Sequence, residues 1–160
     1  MTRVSWLAAA SAASVLTLTG CSGLSPNSAA TIGDTRITMS ELDQFATGFC
    51  VFQKANGQPP SNAEIRTQAL TIMVLSRLAA QEGTAPVDES VINQAVTSVE
   101  PALSELSEED KEAFLDEVRA SVAADQKASG QAVADNGGQV PDDLQLAQAE
   151  VFAQWAEDAG

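Results

Sequence analysis

The chain has 160 residues, with 8 Lys and Arg against 22 Asp and Glu, a formal charge of −14. Such a surface repels nucleic acid and anionic lipid headgroups, so neither is an expected electrostatic partner. Histidine and tyrosine are absent, which removes the commonest general base and metal ligand and any Ser-His-Asp set.

In chain order, Arg3 precedes an apolar stretch from Val4 to Leu18, and Leu18-Thr19-Gly20-Cys21 follows. A positive start, a short apolar run and small residues at a cut point read as a secretory leader. The apolar run is below the ~18–20 residues needed to span a bilayer. The box Leu18-Thr19-Gly20-Cys21 resembles that of bacterial lipoproteins. The resemblance implies that the Cys21 thiol carries the lipid, that residues 1–20 are removed, and that lipid holds the chain to the extracytoplasmic face of the cell membrane. Loss of Arg3 with the leader takes the charge from −14 to −15. With Cys21 lipidated, Cys50 is left alone, so no intrachain disulfide is expected. Between Phe49 and Val51, Cys50 reads as a small buried hydrophobe, with a redox-active thiol as the sharper alternative.

Residues 21–30 have the small, polar composition of a flexible tether, and residues 31–160 form the expected domain. Thr31–Thr38 looks extended, and Gly33-Asp34 marks a turn, so a short strand or tiny hairpin is expected. Thr38-Met39-Ser40-Glu41 fits a capping box. Leu42, Phe45, Phe49 and Phe52 then follow at spacings of 3, 4 and 3, one face of an amphipathic helix, closed by Asn56-Gly57. Ser61-Asn62-Ala63-Glu64 is a second capping box. The helix after it places Ile65, Ala69, Ile72, Met73, Ser76 and Ala80 on one side. Leu70, Val74, Leu75 and Leu78 widen the apolar surface, so this helix is expected at the centre, with Ile72 and Leu75 buried.

Asp88-Glu89 opens a third helix with Val91, Ile92, Ala95, Val96 and Val99 inward, which Pro101 breaks or kinks. Ser107-Glu108-Glu109-Asp110 starts a fourth, with Phe114, Leu115, Val118 and Val122 apolar and Gly130 as its expected end. Asn136-Gly137-Gly138 and Pro141 predict a loop. From Asp142 a last helix aligns Leu144, Ala147, Val151 and Trp155. The fold class is therefore mainly α: four to five helices in a bundle with a short N-terminal strand.

The order of these pieces is similar to the N-terminal domain of SurA-type and PrsA-type periplasmic chaperones. The resemblance runs over about residues 30–125. It rests on Ile32-Gly33-Asp34-Thr35-Arg36-Ile37-Thr38 leading into Ser40-Glu41-Leu42-Asp43. It continues in the long helix Gln68–Gly83, in Val87-Asp88-Glu89-Ser90-Val91-Ile92, and in Ser107–Asp110 with Phe114-Leu115. It implies a helical module that cradles unfolded or peptide clients, without catalytic residues or cofactor. Relatives often return a strand to pair with the first one. Here the chain stops at Gln154–Gly160, and after residue 125 it leaves no room for the prolyl isomerase domain that some relatives carry.

Few residues carry chemistry. Glu108, Glu109, Asp110 and Glu112 read as a solvated helix start, and no run matches a calcium loop, so no metal is expected. Phe45, Phe49 and Phe52 have two readings, core packing or a groove for apolar client segments that Met73 could line. Two functions follow: a lipid-anchored chaperone-like binder of unfolded segments, or an envelope adaptor with one folded partner.

Overall fold

A computed structural model describes residues 27–57 and 61–159. The Cys21 box and the leader lie outside the described residues. Five helices and a two-stranded antiparallel sheet follow in order. They are β1 (Ser28–Ile32), β2 (Thr35–Thr38), α1 (Met39–Ala55), α2 (Asn62–Gln81), α3 (Glu89–Val99), α4 (Glu108–Asp135) and α5 (Leu144–Asp158). A 3-10 turn, Glu100–Leu103, follows α3.

The hairpin forms because Gly33 supplies φ 52° at the first central position of a two-residue loop, as a type II′ turn requires. Strand β1 begins at Ser28, so the tether expected through residue 30 ends sooner. Ala29 and Ala30 pack on the core, and the Met39 amide donates to the Asn27 carbonyl at 2.8 Å. The first strand has its partner within the hairpin, since β1 pairs with β2, in place of the returned strand that relatives often use. An isolated hairpin is marginal in water. This one rests on α1 and α2, and the Gln81 amide donates to the Ile32 carbonyl and the Thr35 hydroxyl.

Both expected capping boxes are present, Thr38 with Glu41 and Ser61 with Glu64. Asp88, Ser107 and Asp143 cap α3, α4 and α5. Pro101 lies in the 3-10 turn, where the chain leaves α3. Helix α4 does not end at Gly130 but runs on to Asp135. Flanking alanines carry the helix through at a propensity cost of about 1 kcal/mol. Gly130 serves packing instead: a Cβ there would lie 2.7 Å from the Ala85 Cβ. The stop comes at Gly137 and Gly138, both at positive φ, with the Gly138 amide donating to the Val133 carbonyl.

Helix α4 is the spine, touching all four other helices. Its first half shares one core with β2, α1, α2 and the 3-10 turn: Ile37, Leu42, Phe45, Ile65, Ala69, Met73, Leu103 and Phe114 among others. Its second half shares another with α2 and α5: Leu78, Ala79, Ala124, Ala128, Ala132, Val151 and Trp155. In α2 the small residues Ala69, Ser76 and Ala79 are buried at the crossings. Ile72 and Leu75, expected to be buried, are only half-buried, because α2 is covered by its partners along Ile65, Ala69, Met73, Ser76, Leu78 and Ala79 instead. Ala80 is exposed. On α3 only Ile92 is buried. Val91, expected inward, is 44% exposed, since α3 meets only α4 and the 3-10 turn over any extent.

Gly48 fixes how closely α1 approaches α4. A Cβ there would lie 2.5 Å from Cδ2 of Phe114. Gly48→Ala gains roughly 1 kcal/mol of helix propensity. Forcing the helices apart costs about 1–3 kcal/mol, so the variant is expected to melt lower. A raised Tm would show that the two helices separate freely.

Candidate functional site

The aromatic stripe of α1 is held in register by the capping box at Thr38, and it meets α4 at Phe114. The Phe45 and Phe114 rings stack with centroids 5.2 Å apart and Phe45 and Phe49 at 6.0 Å, while Phe52 and Phe114 are tilted at 6.4 Å. Of the four residues expected to line a client groove, Phe45 and Met73 are buried in the core, with 4% and 2% exposure. Their first duty is packing. Phe49 and Phe52 are half-buried against the same core, as are Leu70, Ile72 and Val74. Cys50 is a free, half-buried thiol packed on this core.

A shallow pocket of 260 Å³ opens between α1, α2 and α4. Phe45 and Met73 contribute apolar lining, and Glu41, Gln44, Arg77, Asp116 and Glu117 supply the polar groups. Glu117 is nearly buried, its side chain 7% exposed, against 27% for Arg77. Arg77 Nη2 donates to Glu117 Oε2 at 3.0 Å, and Nη1 to Oε1 at 3.5 Å. The planar guanidinium suits such two-point pairing. At the rim, burial opposes ionisation of Glu41. Hydrogen bonds from the Thr38 hydroxyl and amide, with the Arg77 charge, outweigh it and hold this carboxyl below its ordinary range.

The chemistry on offer is limited. Arg77 compensates Glu117, and among the described residues no three His, Cys, Asp or Glu side chains converge as a metal site would need. The acidic run Glu108–Asp110 is the first turn of α4, where its charge suits the helix dipole. Among the described residues no helix is long and apolar enough to cross a membrane.

Sequence reasoning missed the Arg77–Glu117 pair. The signal was there: Arg77 is the one charge between Gln68 and Ala80, and Glu117 lies one turn beyond Phe114 on the inward face of α4. In comparisons with known proteins, no family model, curated protein or solved structure matches the chain.

Proposed function

We propose that this chain is a lipid-anchored protein of the extracytoplasmic membrane face that binds unfolded or peptide segments without catalysis, in the manner of a SurA-type or PrsA-type chaperone module. The observation that carries the reading is the box Leu18-Thr19-Gly20-Cys21 behind a short apolar run, ahead of a helical domain. Two acyl chains on one cysteine give stable attachment where a single chain is marginal. Six residues, Cys21–Pro26, precede the described fold and reach at most about 20 Å, so the domain works close to the bilayer. The half-buried aromatics Phe49 and Phe52 support contact with apolar clients, because rigid aromatics gain area at low entropic cost.

The test combines localisation with binding. Wild type is expected in the detergent phase and Cys21→Ser in the aqueous phase or uncleaved. Purified Cys21→Ser chain should delay aggregation of an unfolded test protein at low and high salt alike, because apolar contact is not screened. Unchanged detergent partitioning of a Cys21→Ser chain that has lost residues 1–20 sinks the anchor. One stoichiometric partner, lost at high salt, would instead identify an adaptor that uses the acidic surface.

A further inference from the structure

We infer that α5 is a displaceable lid over a helix-binding groove between α2 and α4, and that the groove's exchange partner is a cationic amphipathic helix of a client chain. The inference rests on the client-binding reading above and names the site and the class of segment.

Helix α5 belongs to the second core alone. It fills a trough built by Leu78 and Ala79 of α2 and Ala124, Ala128 and Ala132 of α4. The first core, with Phe114, Leu103 and Ile37, contains none of its residues, so α5 can leave without opening that core. Small walls let a helix backbone approach closely, and α5 seats with Leu144, Ala147, Val151 and Trp155 at spacings of 3, 4 and 4. Only Val151 and Trp155 are buried, and Leu146 is 58% exposed.

The seat is incomplete. A cleft of 460 Å³ runs along the seam and reaches the core residues Ala132 and Val151. Asp135 and Glu150 also line it. The side-chain hydrogen bonds across the seam come from Gln148, to the Ser129 hydroxyl at 2.7 Å and the Asp125 carbonyl at 3.3 Å. The connection to α4 passes through Gly137 and Gly138, at φ 69° and 84° with open space around both. Two such glycines turn at little steric cost.

Charge decides the exchange partner. Helix α5 carries Glu150, Glu157 and Asp158 and no Lys or Arg, and it docks on a chain of charge −14. Self-repulsion weakens that docking. A segment with the same apolar spacing and a basic outer face makes the same apolar contacts without the repulsion, with Asp125 and Asp135 of α4 at the rim. This is helix-in-groove recognition with the lid as the resident occupant.

The test uses the full chain with Cys21→Ser and Cys50→Ala, plus Ser129→Cys and Gln148→Cys, whose side chains meet across the seam. A short bifunctional methanethiosulfonate bridges the two thiols and locks α5, and reductant frees it. The probe is a fluorescent peptide of the 142–159 sequence with its five carboxylates replaced by lysine, followed by anisotropy at moderate salt. The open chain is expected to bind it roughly tenfold or more tightly than the bridged chain, since locking removes the competent state. Trp155→Ala, which loosens the lid, should strengthen binding further. Equal binding by bridged and open chains places the site elsewhere and overturns the inference, as does no binding by the open chain. A dimer formed by the open chain alone would make a second copy the occupant and overturn it too. Bridged chain that still suppresses aggregation leaves the client-binding reading standing while the lid fails; loss of suppression from both forms sinks that reading itself.

Discussion

Phe114→Ala is expected to cost about 3–5 kcal/mol of folding stability. Phe114 is 2% exposed, and its ring is where three residues of α1 converge: it stacks on Phe45, touches Phe52 and lies over Gly48. Truncation removes the transfer free energy of a whole ring and leaves a void. How much of the void closes sets the position within that range. Here it closes poorly, because Gly48 has no side chain to move in and both flanking helices are anchored elsewhere, α4 by α2 and α5 and α1 by the hairpin. Phe114→Leu, which nearly conserves volume, should cost less than about 1.5 kcal/mol. Urea unfolding of the three proteins measures both values. A loss below roughly 1 kcal/mol for the alanine variant would mean that the ring is not the joint between α1 and α4.

That joint also shows what the sequence discloses and what it withholds. Helix starts were legible at Thr38, Ser61, Asp88 and Ser107, because a cap is a local hydrogen bond between residues two or three apart. The 3, 4, 3 spacing of Leu42, Phe45, Phe49 and Phe52 gave the inward face of α1, and Leu144, Ala147, Val151 and Trp155 that of α5. Long-range approach was not legible. Gly130 looks like a stop, yet it is a helical contact with Ala85, and only the fold brings those residues together. Ile72 and Leu75 look like the heart of α2, yet Ile65, Ala69, Met73, Ser76, Leu78 and Ala79 are the buried residues, and which side is covered depends on partners the helix does not encode. Of the candidate client residues, periodicity could not tell Phe45 and Met73, which are core, from Phe49 and Phe52, which are half-exposed. Ring spacing on one helix is the same in either case.

Arg77→Met is expected to cost about 3 kcal/mol at neutral pH, the lower end for breaking a buried ion pair. The stem of methionine fills much of the space of the arginine stem, so most of the loss is electrostatic. Glu117 stays where it is, 7% exposed, with Glu41 and Asp116 sharing its pocket and no cation facing it. A stranded carboxylate among like charges has three costs: lost pairing, incomplete hydration and repulsion. The lower end of the range applies because the pocket admits water and Arg77 is itself 27% exposed. Adding Glu117→Leu to the same chain removes the stranded charge and puts an apolar side chain beside Phe45 and Met73. The double variant should return to within about 1 kcal/mol of wild type. The pair would then be a device that orients α2 against α4 rather than a net source of stability. A double-mutant cycle by denaturant unfolding decides it: strictly additive losses would show that Arg77 and Glu117 act independently, and a loss below roughly 0.5 kcal/mol for Arg77→Met alone would show that water already satisfies Glu117.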